Sequence, residues 1–178
     1  VANGYMSEET INWTQGDVMH QFISENIAMM INGPWQVPTM RKQAPNLNWK
    51  VTLIPKDKEY ASDLGGENFG IIKGGNVGGA LEFVKYAADP KVMMTYINDF
   101  GYIASRKDVA SQQFTKDNEV MLLFTKQMDY ARPRGPHPDW PTISDALSTA
   151  MVKSMLGVAT PENAVAEAQA TIDKILNK

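Results

Sequence analysis

The sequence predicts an α/β fold that is rich in helices and holds a few short strands. Three observations predict it. Apolar residues recur at helical spacing in segment after segment, from Thr14–Glu25 to the C-terminus. Between them lie strand-sized apolar runs bounded by Pro, Gly and Asn. The composition is that of an ordinary globular chain: 178 residues, 43% hydrophobic and 21% charged. That length buries a real core without disulfides, and there is no cysteine to form one.

The elements follow in order. Thr14–Glu25 reads as a helix on Val18, Phe22 and Ile23, with Asn26 as its stop. Ala28–Ile31 reads as a short buried strand, ended by the turn Asn32-Gly33-Pro34. Pro34 suits the first turn of a helix over Trp35–Gln43, where its missing N–H would be unpaired anyway. Leu47–Ile54 alternates, with Leu47, Trp49, Val51 and Leu53 on one face, which predicts a half-buried strand closed by Pro55. Residues 56–63 are a polar loop, and Phe69–Ile72 is a further strand.

Lys73–Gly79 is a glycine-rich connector. Helices are predicted over Ala80–Ala88, over Pro90–Asp99 after Asp89, and over Asp117–Tyr130 on Val120, Leu123, Phe124 and Met128. Arg132–Pro141 holds four of the ten prolines and predicts a stiff extended segment, neither helix nor central strand. A helix over Ile143–Met155 ends at Gly157. The last helix opens with Thr160 as N-cap, Pro161 at the first helical position and Glu162 facing the positive helix end.

Several function classes fall away on composition. A net charge of −3 and a pI near 5.4 leave no basic excess for phosphate contacts, so no nucleic acid is expected as a partner. No apolar run approaches the roughly 20 residues of a membrane helix. The two histidines, His20 and His137, are far apart and in no HExxH pattern, so no metal is expected. His20 reads as a solvated residue beside an apolar stripe, while His137 lies in the proline segment, within reach of a ligand there. Gly70–Gly79 carries neither phosphate-loop nor dinucleotide fingerprint and reads as a connector. No nucleophile elbow or other catalytic constellation is present, and no cofactor is implied.

The aromatic residues point to carbohydrate. Sugars present apolar C–H faces and many hydroxyls, so a site pairs a flat ring with charged or amide groups. Trp35 follows a tight turn and Trp140 lies among prolines. The polar groups expected beside them are Glu67, Asn68, Arg132, Arg134 and Asp139. Trp13 and Trp49 read as structural. Gly65 and Gly66 are expected to adopt angles closed to alanine, or to let the backbone approach a ligand. Two rival readings stand beside this one. One is a carbohydrate-active enzyme, which needs two facing carboxylates. The other is a helical interaction module whose tryptophans are core.

The order of motifs carries a resemblance. AMMINGPWQV (Ala28–Val37), KVTLIP (Lys50–Pro55), LGGENFGI, the helix pair Ala80–Asp99, GYIASRKD (Gly101–Asp108), ARPRGPHPDWPTISDAL (Ala131–Leu147) and the T-P-E-x-A start of the last helix resemble, in order, family 1 extracellular solute-binding proteins. These are the maltose-binding-protein-like components of ABC importers. The resemblance implies the C-terminal half of a two-lobe periplasmic-binding-protein fold whose lobes close over a sugar.

It further implies that residues 1–63 and 142–178 belong to the C-terminal lobe and residues 69–131 to the N-terminal lobe. Residues 64–68 and 132–141 would be the hinge crossings. Trp35 would be the stacking platform, with Gly65, Gly66, Glu67, Asn68, Arg134 and Trp140 facing the sugar, a di- or oligosaccharide. The implied partners are the membrane permease and the N-terminal half of the same protein, and the implied location is extracytoplasmic. The chain opens on Val1 with neither initiator Met nor charged leader, so a longer gene product is expected. In that case helix faces carrying Leu81, Val84, Val120 and Phe124 would lack partners.

Overall fold

The structure, a computed structural model, describes residue 1, residues 3–113 and residues 119–177. It is helix-rich, as the spacing predicts. Two compact units divide the chain: Val1–Val18 with Gly135–Lys178, and Met19–Arg134.

In the first unit two long helices, α7 (Trp140–Met155) and α8 (Pro161–Leu176), pack as an antiparallel pair. Small side chains set their approach: Ala150, Ala164 and Ala168 are buried, with Ala146 and Ala159 against them. Lys153 bridges to Glu167 across the pair. Gly157, at φ 67, ends α7 in the left-handed region that glycine enters without strain. Thr160 Oγ1 then accepts from the Asn163 N–H, and Pro161 opens α8. A 3₁₀ turn, Glu8–Asn12, packs on α7.

Helix α1 (Gln15–Ile23) spans the division between the units. Thr14 and Asp17 cap its start reciprocally: the Thr14 N–H donates to Asp17 Oδ2 at 2.8 Å and the Asp17 N–H to Thr14 Oγ1 at 3.2 Å. Glu25, at φ 60, closes the turn after it.

The second unit carries α2 (Val37–Gln43), β1 (Ser62–Leu64), α3 (Val77–Ala87), α4 (Pro90–Phe100), α5 (Lys107–Gln113), α6 (Glu119–Met128) and β2 (Ala131–Pro133). Its core is built on α4 and α5, where Met93, Ile97, Ala104 and Val109 are buried together. Asp89 caps α4 by accepting from the Lys91 and Val92 N–H groups. Sequence reasoning missed α5, whose KDVASQQ holds only Val109 and Ala110 as apolar residues, too few to mark a helical stripe. Val109 is nonetheless buried, and at the helix start Arg106 grips Asp108 through Nε at 3.0 Å and Nη2 at 2.8 Å. That fork raises the Arg106 pKa and lowers that of Asp108.

Several expected strands are absent. Ala28–Ile31, Leu47–Ile54 and Phe69–Ile72 join no ladder among the described residues. Burial still alternates over Leu47–Leu53, half-buried then exposed. Ala28–Ile31 is not buried either: Met29 is 85% exposed and Ile31 77%. Apolar periodicity reports which face a segment would bury; a ladder also needs a neighbouring strand. The proline segment also differs from expectation. Its start joins β2, which is an edge strand by necessity in a two-stranded sheet and so tolerates Pro133. Its end, Trp140 and Pro141, opens α7, where proline fits the first turn. The expected helix Asp117–Tyr130 is α6; Asp117 lies outside the described residues.

Gly101 ties this unit together. It ends α4 at φ 69, and the Tyr102 N–H donates to the Ile97 carbonyl at 2.8 Å. A Cβ there would stand 2.6 Å from the Pro34 carbonyl oxygen and 2.8 Å from Pro38 Cδ. Gly101→Ala meets both the left-handed penalty and a backbone obstacle. It is expected to lower unfolding free energy by about 1–3 kcal/mol in urea titration. A midpoint equal to the parent's would show that this contact supports nothing.

Candidate functional site

Trp35 sits in a rigid local frame. The Asn32 side-chain Oδ1 accepts from the Gly33 N–H at 2.9 Å. Pro34 opens a 3₁₀ turn, Pro34–Gln36, that runs directly into α2. Pro34, Val37 and Met40 are buried around it, while Trp35 is 39% exposed. It is the most exposed of the four tryptophans, since Trp13, Trp49 and Trp140 are half-buried. An indole anchored at its base and open to solvent is a contact surface with few torsions left to freeze.

The second group stands where β1 and β2 end. The strands are parallel, pairing Ser62 with Ala131, Asp63 with Arg132 and Leu64 with Pro133. The segments after them therefore leave the ladder at the same end. The Arg134 guanidinium Nη2 lies 3.4 Å from the position a Cβ on Gly65 would take. Gly65, Gly66, Glu67, Asn68 and Arg134 are all exposed. Neither glycine has a positive φ, and nothing lies within 4 Å of a Cβ on Gly66. The expected backbone angles closed to alanine are thus absent. Among the described residues the side chains of Glu67, Asn68 and Arg134 make no hydrogen bond or ion pair. A carboxylate, an amide and a guanidinium are left free there, which are the donors and acceptors hydroxyl recognition uses.

Below the ladder, the start of the strands is clamped by groups that sequence reasoning missed. The Tyr60 and Tyr130 rings pack with centroids 4.9 Å apart and planes tilted by 39°, and Lys56 Nζ lies 4.8 Å from the centroid of the Tyr60 ring. The Ser62 N–H donates to the Tyr130 carbonyl at 3.3 Å. Gln127, only 9% exposed, accepts from the Ile54 N–H at 3.0 Å through Oε1. Apart from Lys56 and Tyr60, these partners are some seventy residues apart, so no local pattern signals them. An open depression of about 620 Å³ lies here, lined among others by Lys56, Tyr60, Tyr130 and Arg132.

Trp140 belongs to the other unit, at the first turn of α7. The backbone N–H of Asp139 donates to His137 Nδ1 at 3.1 Å, and that of Trp140 to the His137 carbonyl at 3.0 Å. His137 thus shapes the entry to α7. The structure brings Gly65 beside Arg134. Trp35 shares their unit. No group of three or more metal-ligating side chains occurs among the described residues, nor any helix long and apolar enough to cross a membrane.

The tyrosine clamp makes a testable difference. In Tyr130→Ala, amide exchange over β1, beginning with Ser62, is expected to quicken about tenfold, the worth of an aromatic pair. Tyr130→Phe keeps the ring and should exchange as the parent does. Equal rates in all three proteins would show that the pair does not hold the ladder.

Comparison with known proteins agrees with this architecture. The family described as bacterial extracellular solute-binding protein matches residues 1–122. Binding proteins of Brucella abortus (strain 2308) and Brucella suis biovar 1 (strain 1330) are each 24% identical over 181 residues, covering 100% of this chain and 44% of theirs. The crystal structure of an ABC transporter solute-binding protein from Thermotoga lettingae TMO, bound with α-D-tagatose, aligns with a TM-score of 0.79. It is 26% identical over 92% of this chain and 43% of that one. The chain thus spans less than half the length of the relatives it matches.

Proposed function

The chain belongs to the bacterial extracellular solute-binding proteins, and on that premise we propose that it takes part in capturing a sugar outside the cytoplasm and delivering it to the membrane permease of an ABC importer. The observation that carries this reading is Trp35, an indole held at its base by a buried turn and exposed above it. The free side chains of Glu67, Asn68 and Arg134 would meet sugar hydroxyls, and Gly65 and Gly66 leave the backbone bare beside them. Trp140 is a second platform in this reading. The tagatose-bound neighbour supports a sugar as the ligand class. The family resemblance favours a di- or oligosaccharide, so both sizes belong in any test.

The physical work is a shift of population. A sugar touching both lobes binds only when they are closed, so binding biases closure. Residues 64–68 and 132–141 are the proposed crossings. The parallel strands β1 and β2 overlap the start of each proposed crossing. The exposed apolar residues Met29, Ile31, Phe69, Ile72 and Phe83 are assigned in this reading to contact with the N-terminal half of a family member. The chain's span of 44% of its relatives supports that assignment. The function is capture and release, with no bond broken in the sugar.

Calorimetric titration with tagatose and a panel of mono- and disaccharides tests the reading. Trp35→Ala is expected to weaken the best ligand by about 1–3 kcal/mol, and the recovered sugar should be chemically intact. Hydrolysed sugar would favour the enzyme reading. Binding of every sugar unchanged by Trp35→Ala would make Trp35 structural and sink the site assignment.

A further inference from the structure

Gly33 is not required by its backbone. Its φ of −107 and ψ of 169 are extended, the region any residue ahead of proline prefers. Its hydrogen bonds are backbone ones: the N–H donates to Asn32 Oδ1, and the carbonyl accepts from the Gln36 N–H. Any residue could make them. What excludes a side chain is Trp35. A Cβ on Gly33 would fall 2.1 Å from Trp35 Cη2, 2.2 Å from Cζ3 and 2.4 Å from Cζ2. Those atoms are the outer edge of the six-membered ring. The indole is folded back over the residue two positions before it, into the space a side chain would fill.

We propose that Gly33 is the positioning residue for Trp35: by lacking a side chain it forms the seat of the indole and sets the orientation in which the ring meets a ligand. Gly33 and Pro34 are buried beneath a ring that is 39% exposed. The seat thus converts a side chain with two free torsions into a fixed surface. The case differs from Gly101, where the obstacle is a backbone oxygen and a proline ring. At Gly33 the obstacle is the far end of a side chain, so an added methyl displaces the ring and leaves the chain trace alone. The inference rests on the sugar reading only for its effect on affinity; the seating of the ring stands apart from it.

Three measurements on the purified protein test it. With fluorotryptophan labelling, Gly33→Ala is expected to move the fluorine resonance of Trp35, assigned by its loss in Trp35→Ala, while those of Trp13, Trp49 and Trp140 hold. A fixed Trp35 resonance, or equal movement of all four, overturns the proposal. Thermal melts then compare the methyl in two backgrounds. Gly33→Ala should lower Tm in the parent and leave it unchanged or slightly raised in Trp35→Ala, since the methyl clashes only with the ring and otherwise restricts the unfolded chain. An equal loss in both backgrounds would mean a backbone requirement and overturn it, even if Gly33→Ala folds poorly.

Finally, with the best sugar of the panel, Gly33→Ala should weaken affinity about three- to tenfold in the parent, the scale of a misplaced aromatic contact. It should have no further effect in Trp35→Ala. A loss that persists without the ring overturns the positioning role. If Trp35→Ala itself costs no affinity, the sugar platform fails, while the resonance and the melts still decide the seat.

Discussion

The candidate site depends on the contact between the end of α4 and the turn that carries Trp35. Gly101 terminates α4 in the left-handed region, and its bare Cα lets the Pro34 carbonyl and the Pro38 ring approach. Pro34 begins the turn from which Trp35 projects, and Val37 and Met40 bury the start of α2 behind it. The same helix α4 supplies Met93 and Ile97 to the core with α5. One close backbone approach thus connects the best-packed part of the unit to its most exposed tryptophan. A side chain at Gly101 would push on backbone, which gives way less cheaply than a rotamer.

A second constraint acts at long range in sequence. Three residue pairs are a weak ladder by themselves. The tyrosine pair, the Lys56 cation near it and the Gln127 amide on the Ile54 N–H reinforce that ladder from below. Above it, the chain is exposed from Asp63 to Gly79. A connector anchored at one end and open at the other places Glu67, Asn68 and Arg134 near a fixed point while leaving their side chains unspent. Under the proposed sugar reading, these are the groups that would exchange water for sugar hydroxyls.

The sequence by itself determined a good deal. Local chemistry sets helix starts and stops, and those were legible: Thr14 before α1, Asp89-Pro90 before α4, Thr160-Pro161 before α8, Gly157 after α7. A cap is satisfied within four residues, so a short pattern contains the whole interaction. The family was legible as well, because AMMINGPWQV and the motifs after it fall in order along the chain.

Only the tertiary structure decided the rest. Ala28–Ile31 and Phe69–Ile72 have strand-like sequences and no ladder, since a strand is completed by a neighbour that local pattern cannot supply. Helix α5 has too few apolar residues for a legible stripe, and the burial of Val109 with Met93 and Ile97 shows only in three dimensions. Trp140 opens a helix where four prolines suggested a stiff loop, since Pro141 fits a first turn as well as it breaks an interior. The sequence marks Gly33 as part of a turn, yet its φ is ordinary and its need is for space. Where a ring lies is a matter of packing in three dimensions, and no spacing along the chain records it.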